Sequence, residues 1–109
     1  MNVIISPEVQ EYLDNLVLIL YREEYFGFEE QAVDYVHSLL DDIKADLPKR
    51  QHKPASSYFE KYGKGVHYAS FRKNKQTEWY AFFTTHEVEN EKIYLVRYVA
   101  NNHTVAQYL

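Results

Sequence analysis

The amino-acid sequence predicts one α+β domain spanning residues 1–109: a strand, two helices and a three-strand meander, with an antiparallel sheet packed on a two-helix hairpin. Three observations carry that expectation. A short β-branched run opens the chain, apolar residues then recur at helical spacing, and beyond Gly65 apolar and polar residues alternate. A length of 109 residues leaves room for one modest core.

Asn2–Ile5 reads as the first strand. Ser6-Pro7-Glu8 starts a helix: a serine able to cap, a proline suited to the first turn, and a carboxylate that complements the helix dipole. Val9, Tyr12, Leu13, Leu16 and Leu20 form its apolar stripe, with Glu11, Asp14 and Asn15 opposite. Phe26-Gly27-Phe28 breaks the pattern. A second helix begins near Glu29, with Ala32, Val36, Leu39, Leu40, Ile43 and Leu47 on one face, and Pro48 ends it. From Lys49 to Gly65 periodicity is lost, and Pro, Ser and Gly signals with five basic residues predict an exposed connection. Its length favours a short helical turn or a functional role. Val66–Arg72, Glu78–Thr85 and Lys92–Val99 follow as strands, joined by turns at Lys73–Gln76 and Glu87–Glu91. The helices would cover one face of the sheet and leave the other free for Arg, His and Tyr. On the last strand, Ile93, Leu95, Arg97 and Val99 are expected on one face, with Tyr94, Val96 and Tyr98 on the other.

Charge divides the chain in two. Met1–Asp46 holds two basic and eleven acidic side chains, a net of −9; Leu47–Leu109 holds ten basic and five acidic, a net of +5, and four of the five histidines. Cations gathered in one region are a feature of polyanion binders. The absence of cysteine excludes disulfides and cysteine-ligated metal. The start MNVIISPEVQ has no basic n-region, and the apolar run Leu16–Leu20 is too short to span a bilayer, so a cytoplasmic protein without membrane association is expected. His52, His67, His86 and His103 lack metal-ligand spacing, and Gly63 and Gly65 do not form a phosphate loop, so neither metal nor cofactor is expected.

Three groups could carry chemistry. Lys49, Arg50, His52, Lys53, Lys61 and Lys64 lie on the connection, where cations can track a phosphate backbone. Arg72, Lys73 and Lys75 surround a hairpin turn, and Arg72 ends a strand where it can be held against the sheet. Arg97, Asn101, Asn102, His103 and Tyr108 occupy the C-terminal segment. RNA cleavage through the 2′-hydroxyl needs a base, an acid for the leaving oxygen, and cations around the phosphate. His103 can carry a proton near neutral pH, Tyr108 is a second candidate, and Arg97 and Arg72 can hold the phosphate.

The order of elements, with FRKNKQTEWYAFF and IYLVRYVANNHTVAQYL as hairpin and last strand, resembles the RelE/ParE superfamily of type II toxin–antitoxin toxins over nearly the whole length. The TEWYAFF strand and the YVANNHTVAQYL end are its most specific patterns, and they resemble a RelE-like subgroup. The resemblance implies a small α+β toxin neutralised by a cognate antitoxin wrapped around it. RelE-type members cleave mRNA on the ribosome, whereas ParE-type members inhibit DNA gyrase without nuclease residues. By position, the loop lysine falls near Lys53, the tail arginine on Asn102 and the terminal tyrosine on Tyr108; Glu78 or Trp79 occupies the place of the strand arginine. Arg97 or His103 is left to stand in for the tail arginine. The leading expectation is a metal-independent, ribosome-dependent mRNA endoribonuclease. Its alternatives are a gyrase inhibitor, or a toxin-fold protein that only binds a partner.

Overall fold

The computed structural model describes residues 2–22 and 29–109. Phe26-Gly27-Phe28, read above as a helix break, lies outside them. Strand β1 (Asn2–Ile5) leads into α1 (Pro7–Arg22), and α2 (Glu29–Asp46) packs against α1. The Ser6 hydroxyl accepts the Val9 N–H at 3.3 Å, so Ser6 caps α1 as its position predicts. Val9, Leu13 and Leu16 on α1, and Ala32, Val36, Leu39 and Ile43 on α2, are buried, matching the helical stripes.

The sheet is five-stranded and mixed, in the order β1-β5-β4-β3-β2, with β2 at Lys53–Pro54, β3 at His67–Arg72, β4 at Glu78–Val88 and β5 at Glu91–Asn101. The expected purely antiparallel sheet is corrected at β1, which pairs parallel to β5 (Val3 opposite Tyr94, Ile5 opposite Val96). The α1–α2 hairpin and β3–β4 carry the chain back to the sheet between these two strands, so a parallel neighbour is sterically accessible. The second correction is β2, a two-residue edge strand inside the supposed connection, paired to β3 through Lys53 opposite Tyr68. Strands β4 and β5 extend to a two-residue turn, Glu89-Asn90, both at positive φ (52° and 67°).

The register breaks between Phe82 and Phe83, where Phe82 opposes Tyr98 but Phe83 opposes Val96. Arg97 is therefore the extra residue of a β-bulge. Tyr94, Val96 and Val99 consequently pack with the helices, beside Ala69, Phe71, Trp79, Ala81 and Phe83. Tyr98 and Ala100 pack on the opposite face. The single alternation expected across Leu95, Arg97 and Val99 is thus overturned, because the bulge shifts the phase by one residue.

That opposite face is not left free. A 3-10 turn at Ser57–Tyr62 lies over it and builds a second core of Phe59, Val66, Tyr80, Phe82, Ala100 and Val105. The Phe59 ring stacks on Phe82 (centroids 4.2 Å apart) and Tyr62 on Tyr98 (4.2 Å, planes 7° apart). The chain then closes with a short helix α3 (Asn102–Val105) and a turn at Ala106–Tyr108. Among the described residues, no helix is long and apolar enough to cross a membrane.

Candidate nucleic-acid interface

Tyr68, Ser70 and Arg72 alternate along β3 on the face turned away from the helices, because Ala69 and Phe71 between them enter the helix-side core. Lys53 sits beside Tyr68 on the edge strand. Arg50, Gln51, Lys53, Tyr68 and Ser70 line a shallow cleft of about 210 Å³. The Arg50 guanidinium stands 4.7 Å over the Phe71 ring and 3.7 Å from the Asp46 carboxylate, so the head is held on one side while 43% of the side chain stays exposed.

Arg72 ends β3 opposite Glu78 at 3.8 Å, with 65% of its side chain exposed. Such a solvated pair is weak, so the guanidinium remains able to engage a phosphate. Tyr80, buried on the same face, stands edge-on to Tyr68 at 5.8 Å. Burial, and then the Glu78 carboxylate, push its phenol above the usual range.

The C-terminal candidates separate. The Asn101 side-chain oxygen accepts the His103 N–H at 3.0 Å and caps α3. Asn102 is a staple across the sheet end: its oxygen accepts the Glu78 N–H at 3.1 Å and its amide donates to the Gln76 carbonyl at 3.1 Å. His103 is exposed and lines a cleft on the helix side, with Trp79 and Tyr12. Arg72 and Glu78 thus share one end of the sheet with His103, but from opposite faces, with the Asn102–Glu78 bond between them. Tyr108 lies elsewhere, its ring stacked on Tyr58 at 3.8 Å and its carbonyl bonded by the Ser56 hydroxyl. Arg97, on the bulge, is exposed beside Gly63 in the middle of the sheet.

Two of the cations proposed for RNA are engaged internally. His52 Nε2–H donates to the Leu47 carbonyl (2.8 Å), and the ring packs edge-on against Phe83 at 4.8 Å, a helix-side contact. The Lys73 ammonium, on a side chain only 13% exposed, binds the Ser38 hydroxyl at 2.7 Å and the Asp42 carboxylate at 2.9 Å. It ties the β3–β4 turn to α2. Lys61 rests over the Tyr58 ring at 4.3 Å, while Lys49, Lys64 and Lys75 are exposed. Among the described residues, no group of three His, Cys, Asp or Glu side chains is placed to hold a metal ion.

The structure thus assembles Arg50, Lys53 and Arg72 on one edge, and adds Tyr68, Ser70, Glu78 and Tyr80, which were not read as site residues in the sequence. Their signal was the period-2 alternation on β3 and β4: once one face is assigned to the helices, every second residue must share the face of Arg72. Comparison with protein-family models, curated proteins and solved structures gave no significant match.

Proposed function

We propose that the protein binds single-stranded RNA on the edge formed by Arg50, Lys53 and Arg72, and acts as a toxin that cleaves mRNA on the ribosome. The cleft that brings Arg50 and Lys53 to Tyr68 and Ser70, with Arg72 further along the same strand face, carries the reading: cations hold the backbone and an aromatic ring accepts a base. In the cleavage step, the RNA 2′-oxygen attacks the adjacent phosphorus as its proton is removed. The leaving 5′-oxygen is protonated, giving a cyclic phosphate. Arg72 would hold the charge that develops on the phosphate, and His103, which reaches the same sheet end from the helix side, would take the 2′-hydroxyl proton while water protonates the leaving oxygen. Tyr108, held by Tyr58 of the Ser57–Tyr62 turn, takes no part in this version, and Arg97 contributes only long-range charge.

The test is primer extension on translating ribosomes treated with the purified chain. Cuts at fixed codon positions are expected, lost in His103→Ala and Arg72→Ala and retained in Tyr108→Phe. A second reading, binding to a protein such as DNA gyrase without catalysis, is favoured by the separation of Tyr108 and Arg97 from His103, which leaves one proton carrier beside Arg72. Intact mRNA with a folded protein, together with inhibited gyrase supercoiling, would establish it in place of the first.

A further inference from the structure

On the helix side of the same sheet end lies a larger cleft, of about 480 Å³, of which the RNA-binding reading uses only His103. Its volume falls in the range of small-molecule sites. Trp79 forms its floor, with Tyr12 and Tyr35 beside it and Leu16, Ile19 and Leu20 from α1 closing one side. The Trp79 indole N–H donates to the Tyr35 hydroxyl at 2.9 Å, so two of its aromatic walls are locked to each other across the sheet–helix interface. The remaining side is polar: Asn74, Thr77, Asn101 and His103. The Asn101 oxygen is committed to the His103 N–H and the Thr104 hydroxyl, while its amide NH₂ has no partner among the described residues.

Among the described residues, the lining contains no carboxylate, lysine or arginine. A charged ligand would find no counter-ion among those residues, and a purely aliphatic one would leave the amide and imidazole unpaired. We propose that this cleft binds a neutral, planar heteroaromatic ring of nucleobase size, held against Trp79 and Tyr12 and read at its edge by Asn101 and His103. The ring has two sources, a free nucleoside or a base turned out of an RNA strand; only the second rests on the proposed function.

Trp79 is the only tryptophan, so its emission reports this cleft directly. The intact chain would be titrated with each of the four ribonucleosides, with ribose, and with short single-stranded RNA. Saturable change with at least one nucleoside in the millimolar range or tighter, and none with ribose, is expected. Asn101→Asp keeps a helix cap but removes the amide donor, and should weaken binding about tenfold with an unchanged thermal midpoint. Preference for the oligonucleotide over the nucleoside would assign the ring to RNA, and equal affinity to a free ligand. No saturable response from any of them, or binding unaltered by Asn101→Asp, would overturn the proposal even where ribosomal cleavage holds.

Discussion

Replacing Gly63 by alanine should damage the fold far more than the same change at Gly65, two residues on. Gly63 has φ 138° and ψ 151°, a region essentially restricted to glycine, and an added Cβ would lie 3.0 Å from Thr84 Cγ2 and 3.4 Å from Val66 Cγ2. Thr84 and Val66 are both buried in or beside the second core, so neither can withdraw without moving a strand. Backbone strain and overpacking together should cost about 3 kcal/mol. Gly65 (φ 74°) has nothing within 4 Å of a built Cβ, so only the left-handed backbone term, about 1 kcal/mol, applies. In urea unfolding followed by Trp79 emission, this corresponds to a midpoint lowered by about 2 M for Gly63→Ala and less than half that for Gly65→Ala. Equal shifts, or a larger one at Gly65, would refute the argument that Gly63 sets the Ser57–Tyr62 turn on the sheet.

Lys73→Met should lose about 1–2 kcal/mol in the same unfolding assay, because it abandons Ser38 and Asp42, yet leave RNA affinity unchanged. Lys53→Ala should do the reverse, with intact stability and the slope of log affinity against log salt reduced by about one in filter binding. Glu89→Asn, at φ 52° in the β4–β5 turn, should raise stability by about 0.5 kcal/mol, read as a higher thermal midpoint. Folding holds the phenolic protons of Tyr12 and Tyr62 to about 12, chiefly through burial, against 10 in the unfolded chain. The unfolded state therefore releases those protons first: stability should hold below pH 10 and fall between pH 10 and 12, with Tyr12→Phe reducing that fall in alkaline unfolding curves.

The helices could be read from the sequence because a stripe such as Val9, Leu13, Leu16 repeats over several turns, and local spacing decides its burial. The β3–β4–β5 order was legible for a similar reason, since alternation and turn residues act over a few positions. The parallel placement of β1 was not, because four residues carry no mark of a neighbour ninety positions away. The bulge escaped notice because Arg97 extends an apparently regular alternation, and only pairing with Phe82 and Phe83 shows the extra residue. Within the candidate site, Lys53 and Lys73 look alike as letters. One lies on an open edge and the other against Asp42, a difference made by how the β3–β4 turn meets α2. His52 was misjudged in the same way: a histidine among lysines reads as solvated, but the path into β2 turns its ring onto Phe83.

The bulge also bears on how this chain tolerates change in length. A strand with Arg97 removed would run Leu95, Val96, Tyr98, Val99 in plain alternation, with Val96 and Val99 still toward the helices and Tyr98 still on Phe82. A one-residue deletion there is register-neutral, whereas the same deletion at Val96 or Val99 would remove a core side chain. When chains of this architecture are aligned, a gap opposite Arg97 is the one length difference in β5 that carries no change of facing. A cation at that position can be gained or lost without rebuilding either core.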